Sequence, residues 1–110
     1  VQESHAQNQQ RLIGEWGTEQ QCAGELITAR GSVRAAPFKI QADWISHGDV
    51  WCRLTWVRAG DTADGFIAEA RALCGEDDLR DYRIDFTLTD NKLWLRWNLQ
   101  IENGPLRQCL

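Results

Sequence analysis

The residues of this 110-residue chain whose types could do chemistry are four cysteines, two histidines and two acidic runs. A hydrolytic triad needs a histidine held between a serine and a carboxylate on a rigid frame. His5 lies near the N-terminus, and His47 lies in Ser46-His47-Gly48-Asp49, which reads as a solvated turn. Glu76, Asp77, Asp78 and Asp81 form one acidic run, and Asp61 and Asp64 another. Calcium takes clustered oxygen ligands. Neither run has the Asp-x-Asp-x-Asp-Gly spacing of a dedicated loop, so both read as solubilising turns. The expectation is a non-enzyme with no metal and no cofactor.

The thiols are Cys22, Cys52, Cys74 and Cys109, with no Cys-x-x-Cys pair. Zinc sites are built from closely spaced ligand pairs, which are missing here. An even number of cysteines in a short chain points to disulfides and an oxidising compartment. Ser4-His5-Ala6 has the small-x-small form of a signal-peptide cleavage site. Residues 1–10 therefore read as a disordered tail or signal-peptide remnant, and 11–110 as one domain. A chain with no Met reads as a processed product. With no lipid-bearing cysteine at its start, the expected setting is the periplasm or the outside of the cell.

Which thiols meet depends on the elements that carry them. Apolar residues make up 43% and charged residues 25%, an ordinary globular balance. No run of 18 apolar residues exists, so no membrane span is expected. The formal charge of −4 argues against nucleic acid, which selects a basic face. Gly, Pro, Asn and Asp clusters at 31–32, 47–49, 60–65, 75–78, 89–91 and 103–105 divide the chain into short segments. That spacing predicts an all-β sandwich or barrel.

Period-two alternation places the strands. Leu93, Leu95, Trp97, Leu99 and Ile101 share one face of a strand from Lys92 to Ile101. Ile84, Phe86 and Leu88 share a face of the strand before it, across a Thr89-Asp90-Asn91 turn. Val50, Cys52, Leu54 and Trp56 form another inward series. Residues 66–74 have helical propensity in Ala68-Glu69-Ala70-Arg71-Ala72, yet an extended reading puts Cys74 opposite Cys52 in a hairpin centred on Ala63. We take the strand. Leu12–Trp16, Glu25–Ala29, Phe38–Ala42 and Leu106–Leu110 complete about eight strands. A sheet of this size avoids exposed edges by closing, which sets the first strand beside the last and lets Cys22 meet Cys109. The expected fold is a small antiparallel up-and-down β-barrel with disulfides Cys22–Cys109 and Cys52–Cys74.

Leu12-Ile13-Gly14-Glu15-Trp16 carries a Gly-x-Trp after an apolar residue. This resembles the opening of calycin barrels: lipocalins, avidins and the small bacterial inhibitors of secreted metalloproteases. The resemblance implies a lipocalin-like barrel in which Trp16 closes one end against Arg107, with Gly14 at the entry. Gly14, Trp16, Cys22, Cys52, Cys74, Gly75, Glu76, Arg107 and Cys109 together resemble a group of small periplasmic proteins of alphaproteobacteria. The metalloprotease inhibitors differ in joining their first cysteine to a nearer second one. The Ser/Tyr/Asn ligands of avidins have no counterpart motif.

Trp16, Trp56 and Trp97 fall on inward faces. Trp94 and Arg96 occupy the polar face of one strand, and Trp51 and Arg53 that of another. Trp and Arg dominate interface hot spots, so these four form the candidate surface for an unknown protein partner. The expected function is a binding module, with inhibition of a secreted hydrolase as one form. The alternative is a carrier of a small apolar or aromatic ligand. Large inward residues such as Phe66, Phe86 and Leu95 would fill an eight-stranded interior and leave a carrier no cavity.

Peptide mapping under non-reducing conditions will return Cys22–Cys109 and Cys52–Cys74; a Cys22–Cys52 linkage would reject both the hairpin register and closure. By loop length, the first bond contributes roughly 4 to 5 kcal/mol and the second roughly 3, as upper estimates that do not add when nested.

Overall fold

The computed structural model describes residues 11–28, 31–75 and 78–109. The proposed N-terminal tail, Glu76 and Asp77 lie outside them. The strands are β1 Gly14–Gly17, β2 Glu25–Thr28, β3 Gly31–Arg34, β4 Phe38–Ile40, β5 Trp44–His47, β6 Val50–Thr62, β7 Gly65–Cys74, β8 Arg80–Thr89, β9 Lys92–Trp97 and β10 Ile101–Gln108. One short helix, α1, spans Glu19–Ala23. Eight strands close in the order β1-β10-β9-β8-β7-β6-β5-β4, and β2 and β3 form a separate two-stranded sheet. The fold is the expected all-β, antiparallel, closed up-and-down barrel with two disulfides.

The central ribbon follows the alternation. Phe66, Ala68, Ala70, Ala72 and Cys74 of β7 are buried. Ala70 faces Trp56 and Ala72 faces Leu54 across the ladder. The small residues leave room for the Trp56 indole, which packs 5.1 Å from the Phe86 ring. Helical propensity in β7 thus yields to the pairing that β6 and β8 offer it on both edges. Val57 is a one-residue bulge between Trp56 and Arg58. Without that extra residue the tip register would set Cys52 against Gly75; with it, Cys52 faces Cys74.

Closure comes from β1, which pairs with β4 on one edge and β10 on the other. Cys109 N–H donates to the Glu15 carbonyl at 2.8 Å. Cys22 reaches Cys109 from α1 rather than from a strand. Thr18 caps that helix, exchanging hydrogen bonds with Gln21 in a capping box, and Gly24 ends it in the left-handed region.

Four expectations are corrected. The strand from Lys92 does not run to Ile101. It ends at Trp97, and Asn98 (φ 51°) and Leu99 (φ 59°) turn the chain into β10. Alternation masked this turn because apolar residues continue at 99 and 101, where they are exposed. Asn98 fixes the reversal: its N–H donates to the Arg83 carbonyl and its Oδ1 accepts from the Arg83 N–H. Second, Asn103-Gly104-Pro105 is not a turn but an irregularity inside β10. A Cβ on Gly104 would meet Trp94 Cδ1 at 2.7 Å, so the indole of Trp94 lies against bare backbone there. Third, residues 31–32 belong to β3, paired with β2. Fourth, Val50 is exposed and Trp56 and Trp97 are half-buried, because strand ends and the bulge interrupt the inward faces. The Asp90-Asn91 turn is as expected, with φ of 52° and 64°.

A β-carbon makes the left-handed region unfavourable for Leu, and glycine is the usual second residue of such a hairpin turn. Leu99→Gly should therefore raise stability by about 1 kcal/mol, read as a higher urea midpoint at unchanged slope.

Candidate functional site

The interior offers no chemistry. Every buried residue among those described is apolar. Phe66, Phe86, Ile84, Leu93 and Leu95 fill the middle of the barrel; recesses open at its two ends, and a third lies on the β6–β7–β8 wall beside Ile67 and the Arg58–Glu69 pair. We call the end where β6 and β8 begin the mouth, and the opposite end the foot.

The mouth holds an apolar cleft of ≈ 290 Å³. Phe38 and His47 form one wall, with rings stacked at 4.1 Å and 19°. Tyr82 and Trp97 form another, edge to face at 6.1 Å. The Trp97 Nε1–H donates to Asn103 Oδ1 at 2.9 Å, and the His47 Nε2 lies 3.4 Å from Gln21 Nε2 on α1. Val50 and Ile101 form the lip. The cleft lies where β5 and β9 stop, with Phe38 and Trp97 at the end of the core.

Exposed apolar groups gather at the same end. Eight large apolar side chains among the described residues stand well exposed, and six of them belong to the strand ends and loops of the mouth: Val50, Trp51, Leu73, Leu79, Leu99 and Ile101. Scattered apolar residues need no explanation, but six collected at one end of a barrel do.

The four residues singled out from sequence are divided by the barrel. Trp51 is exposed at the mouth, with Arg53 two residues further along β6. Trp94 is level with Thr87, Ile67 and Gly60 across three strands. Over the outer wall that is about 30 Å from Trp51 along the strand direction, so the two tryptophans do not form one patch. Trp94 is half-buried against Gly104. Arg96 is exposed but paired to Glu102 at 3.1 Å. It belongs to a row of charges running across five strands: Arg58, Glu69, Asp85, Arg96 and Glu102 face one another in turn. Glu69 and Asp85 are directly opposed carboxylates. Arg83 bridges them, at 3.4 Å and 3.2 Å, and Arg58 holds Glu69 from the other side at 3.1 Å. The row is a structural belt.

At the foot, Trp16 is buried, and its Nε1–H donates to the Leu12 carbonyl at 2.9 Å. Gly14 sits in β1 facing Ile40, and Arg107 faces Gly17 and Lys92. Trp16 and Arg107 share the walls of one recess. His47 stands at the end of β5, and no three His, Cys, Asp or Glu side chains among the described residues converge as metal ligands do. The sequence reading missed Tyr82 and Asn103 and placed Val50, Ile101 and Leu99 in the core. The available signal was an apolar residue flanking each of several turns at one end of the sheet.

These features define a closed, filled barrel with one apolar end. No family model, curated protein or solved structure matches the chain.

Arg83→Met removes the cation between two facing carboxylates. It should cost about 1 kcal/mol at low salt, from like charges directly opposed across a ladder. Added salt should restore part of that loss, because screening weakens the repulsion. Unfolding in urea at two ionic strengths measures both effects.

Proposed function

We infer that this protein is a periplasmic or secreted, non-enzymatic binding module of calycin-like build that engages a protein partner through the mouth. The observation that carries the reading is the collection of six exposed apolar side chains around an aromatic-walled cleft. Exposed apolar side chains collected at one place mark interaction sites, and aromatic anchors supply most of the energy at such sites. A partner side chain would enter between the Phe38–His47 and Tyr82–Trp97 pairs. Its neighbours would lie on Val50, Leu99 and Ile101. Two disulfides fit an oxidising compartment, and the Gly-x-Trp strand closing against β10 supports the calycin-like build. A secreted hydrolase held at this end is the partner class that would make the protein an inhibitor.

A second reading has one observation in its favour. The cleft volume of ≈ 290 Å³ lies at the lower end of small-molecule pockets, so a single aromatic ring fits it. The filled core below it favours the protein partner over a carrier.

Capture from periplasmic or culture-fluid extract tests the reading, with wild type, Ile101→Glu and Val50→Glu as baits. Wild type and a Lys92→Glu control at the foot should retain one stoichiometric protein, and both mouth variants should weaken it at least tenfold. Retention unchanged by the mouth variants would overturn the assignment. Saturable binding of naphthalene with shifts at Tyr82 and Trp97, and no protein retained, would favour the carrier.

A further inference from the structure

The foot carries a second recess, of ≈ 490 Å³, with chemistry opposite to that of the mouth. Its floor is apolar, made by Trp16 and Leu88, which are almost wholly buried. Its walls are Arg11, Arg107, Asn91 and Gln108. Five elements bring them together: the segment before β1, β1 itself, the end of β8, the Asp90-Asn91 turn and the end of β10.

The charges here are left over. Arg58, Arg80, Arg83 and Arg96 each pair with a carboxylate. Among the described residues, Arg11, Arg107 and the cross-strand neighbour of Arg107, Lys92, do not. Glu15 and Asp90, the acids nearest in sequence to Arg11 and Lys92, do not pair with them, and Glu102, the nearest to Arg107, is held by Arg96. Lys39, Arg53 and Arg71 also lack a carboxylate partner among the described residues, but the foot sets two such guanidinium groups, Arg11 and Arg107, around one apolar-floored recess. The amide of Gln108 is positioned as well: a Cβ on Gly14 would meet its Nε2 at 2.9 Å, so only the bare backbone of Gly14 (φ 140°) admits it. The Trp16 indole N–H is already used by the Leu12 carbonyl, so the ring offers the recess an apolar surface and no competing donor.

From these features we propose that the foot recess binds an amphipathic carboxylate, with the acid group on Arg107 and Arg11 and the apolar body on Trp16 and Leu88. A guanidinium fork matches a carboxylate with two parallel hydrogen bonds, and the amides of Asn91 and Gln108 supply further donors at the rim. The recess volume falls within the range of small-molecule sites and accommodates a fused pair of aromatic rings. This site is independent of the mouth and of the reading given to it.

Titration of the ¹⁵N-labelled full chain with 1-naphthoate, 1-naphthamide and N-acetyl-Ala-Phe tests the assignment. 1-Naphthoate should saturate with shifts at the Trp16 indole N–H and the backbone amides of Arg107 and Gln108. 1-Naphthamide, equal in shape and neutral, should bind at least tenfold more weakly. Arg107→Gln should weaken 1-naphthoate at least fivefold and leave 1-naphthamide unchanged. The peptide acid distinguishes a chain terminus from a free acid: tenfold tighter binding than 1-naphthoate assigns the carboxylate to a terminus, and weaker binding to a free acid. Equal affinity for acid and amide, shifts centred on Tyr82 and Trp97, or an Arg107→Gln variant that binds as wild type would overturn the proposal. Should Arg107→Gln fail to fold, Arg11→Gln carries the same expectation, and the acid–amide difference on wild type decides alone.

Discussion

Everything in this molecule depends on the closure of β1 against β10. The contact is short. Two residue pairs, Trp16 with Gln108 and Gly17 with Arg107, join the strands, and the Cys109 N–H to Glu15 carbonyl bond extends them. Without it the sheet would present two unpaired edges, the short β1 and the eight-residue β10, each a template for association. The Cys22–Cys109 bond spans 87 residues and ties the helix after β1 to the end of β10. It holds the weakest seam of the barrel and removes the largest share of chain freedom from the unfolded state. β1 then serves two neighbours at once, since Trp16 faces both Phe38 and Gln108.

Closure decides where function can sit. Eight strands enclose a space that side chains fill, and here the filling is apolar and complete through the middle. No charge or polar side chain is buried among the described residues. Chemistry is displaced to the outer wall and the two ends. The wall is taken up by ion pairs, in which Arg83 relieves two opposed carboxylates. The ends remain, and they differ in kind. The mouth is aromatic and apolar, with amides at its edge; the foot is basic over an apolar floor. The difference follows from the turns. Apolar residues flank the chain reversals at 48–49 and 98–100 and stand where β7 ends and before β8 begins, whereas Arg11, Lys92 and Arg107 cluster where β1 begins and β10 ends.

One extra residue links the wall to the mouth. Val57 shifts the β6–β7 register by one, which sets Cys52 against Cys74 and restores inward alternation for Leu54 and Trp56 opposite the Ala stripe. The bulge and the disulfide therefore specify the same register from opposite halves of the hairpin. A one-residue slip would turn every side chain of β6 to the other face.

The sequence by itself determined the class of fold, the β6–β7–β8 ribbon, the Asp90-Asn91 turn and both disulfides. These rest on period two and on turn chemistry, which are local; in the sequence the Cys52–Cys74 register rests on a hairpin centred on Ala63, whereas the turn is Ala63-Asp64 and the Val57 bulge makes up the difference. It also exposed the cysteines as structural and the acidic runs as lacking a calcium loop's spacing. Tertiary structure alone decided the rest. Leu99 and Ile101 continue an inward alternation perfectly, yet a hydrogen-bonded clasp from Asn98 to Arg83, fifteen residues away, reverses the chain before them. Trp94 looks like a surface anchor until Gly104, on the neighbouring strand, is seen to lie against it. Trp51 and Trp94 share a parity but not a patch, because parity assigns a face of a sheet and not a place on a closed wall. The mouth and the foot were illegible for the same reason. Each gathers residues from four or more strand ends, and which ends are neighbours is set by the stagger of the closed sheet, a property that no single segment carries.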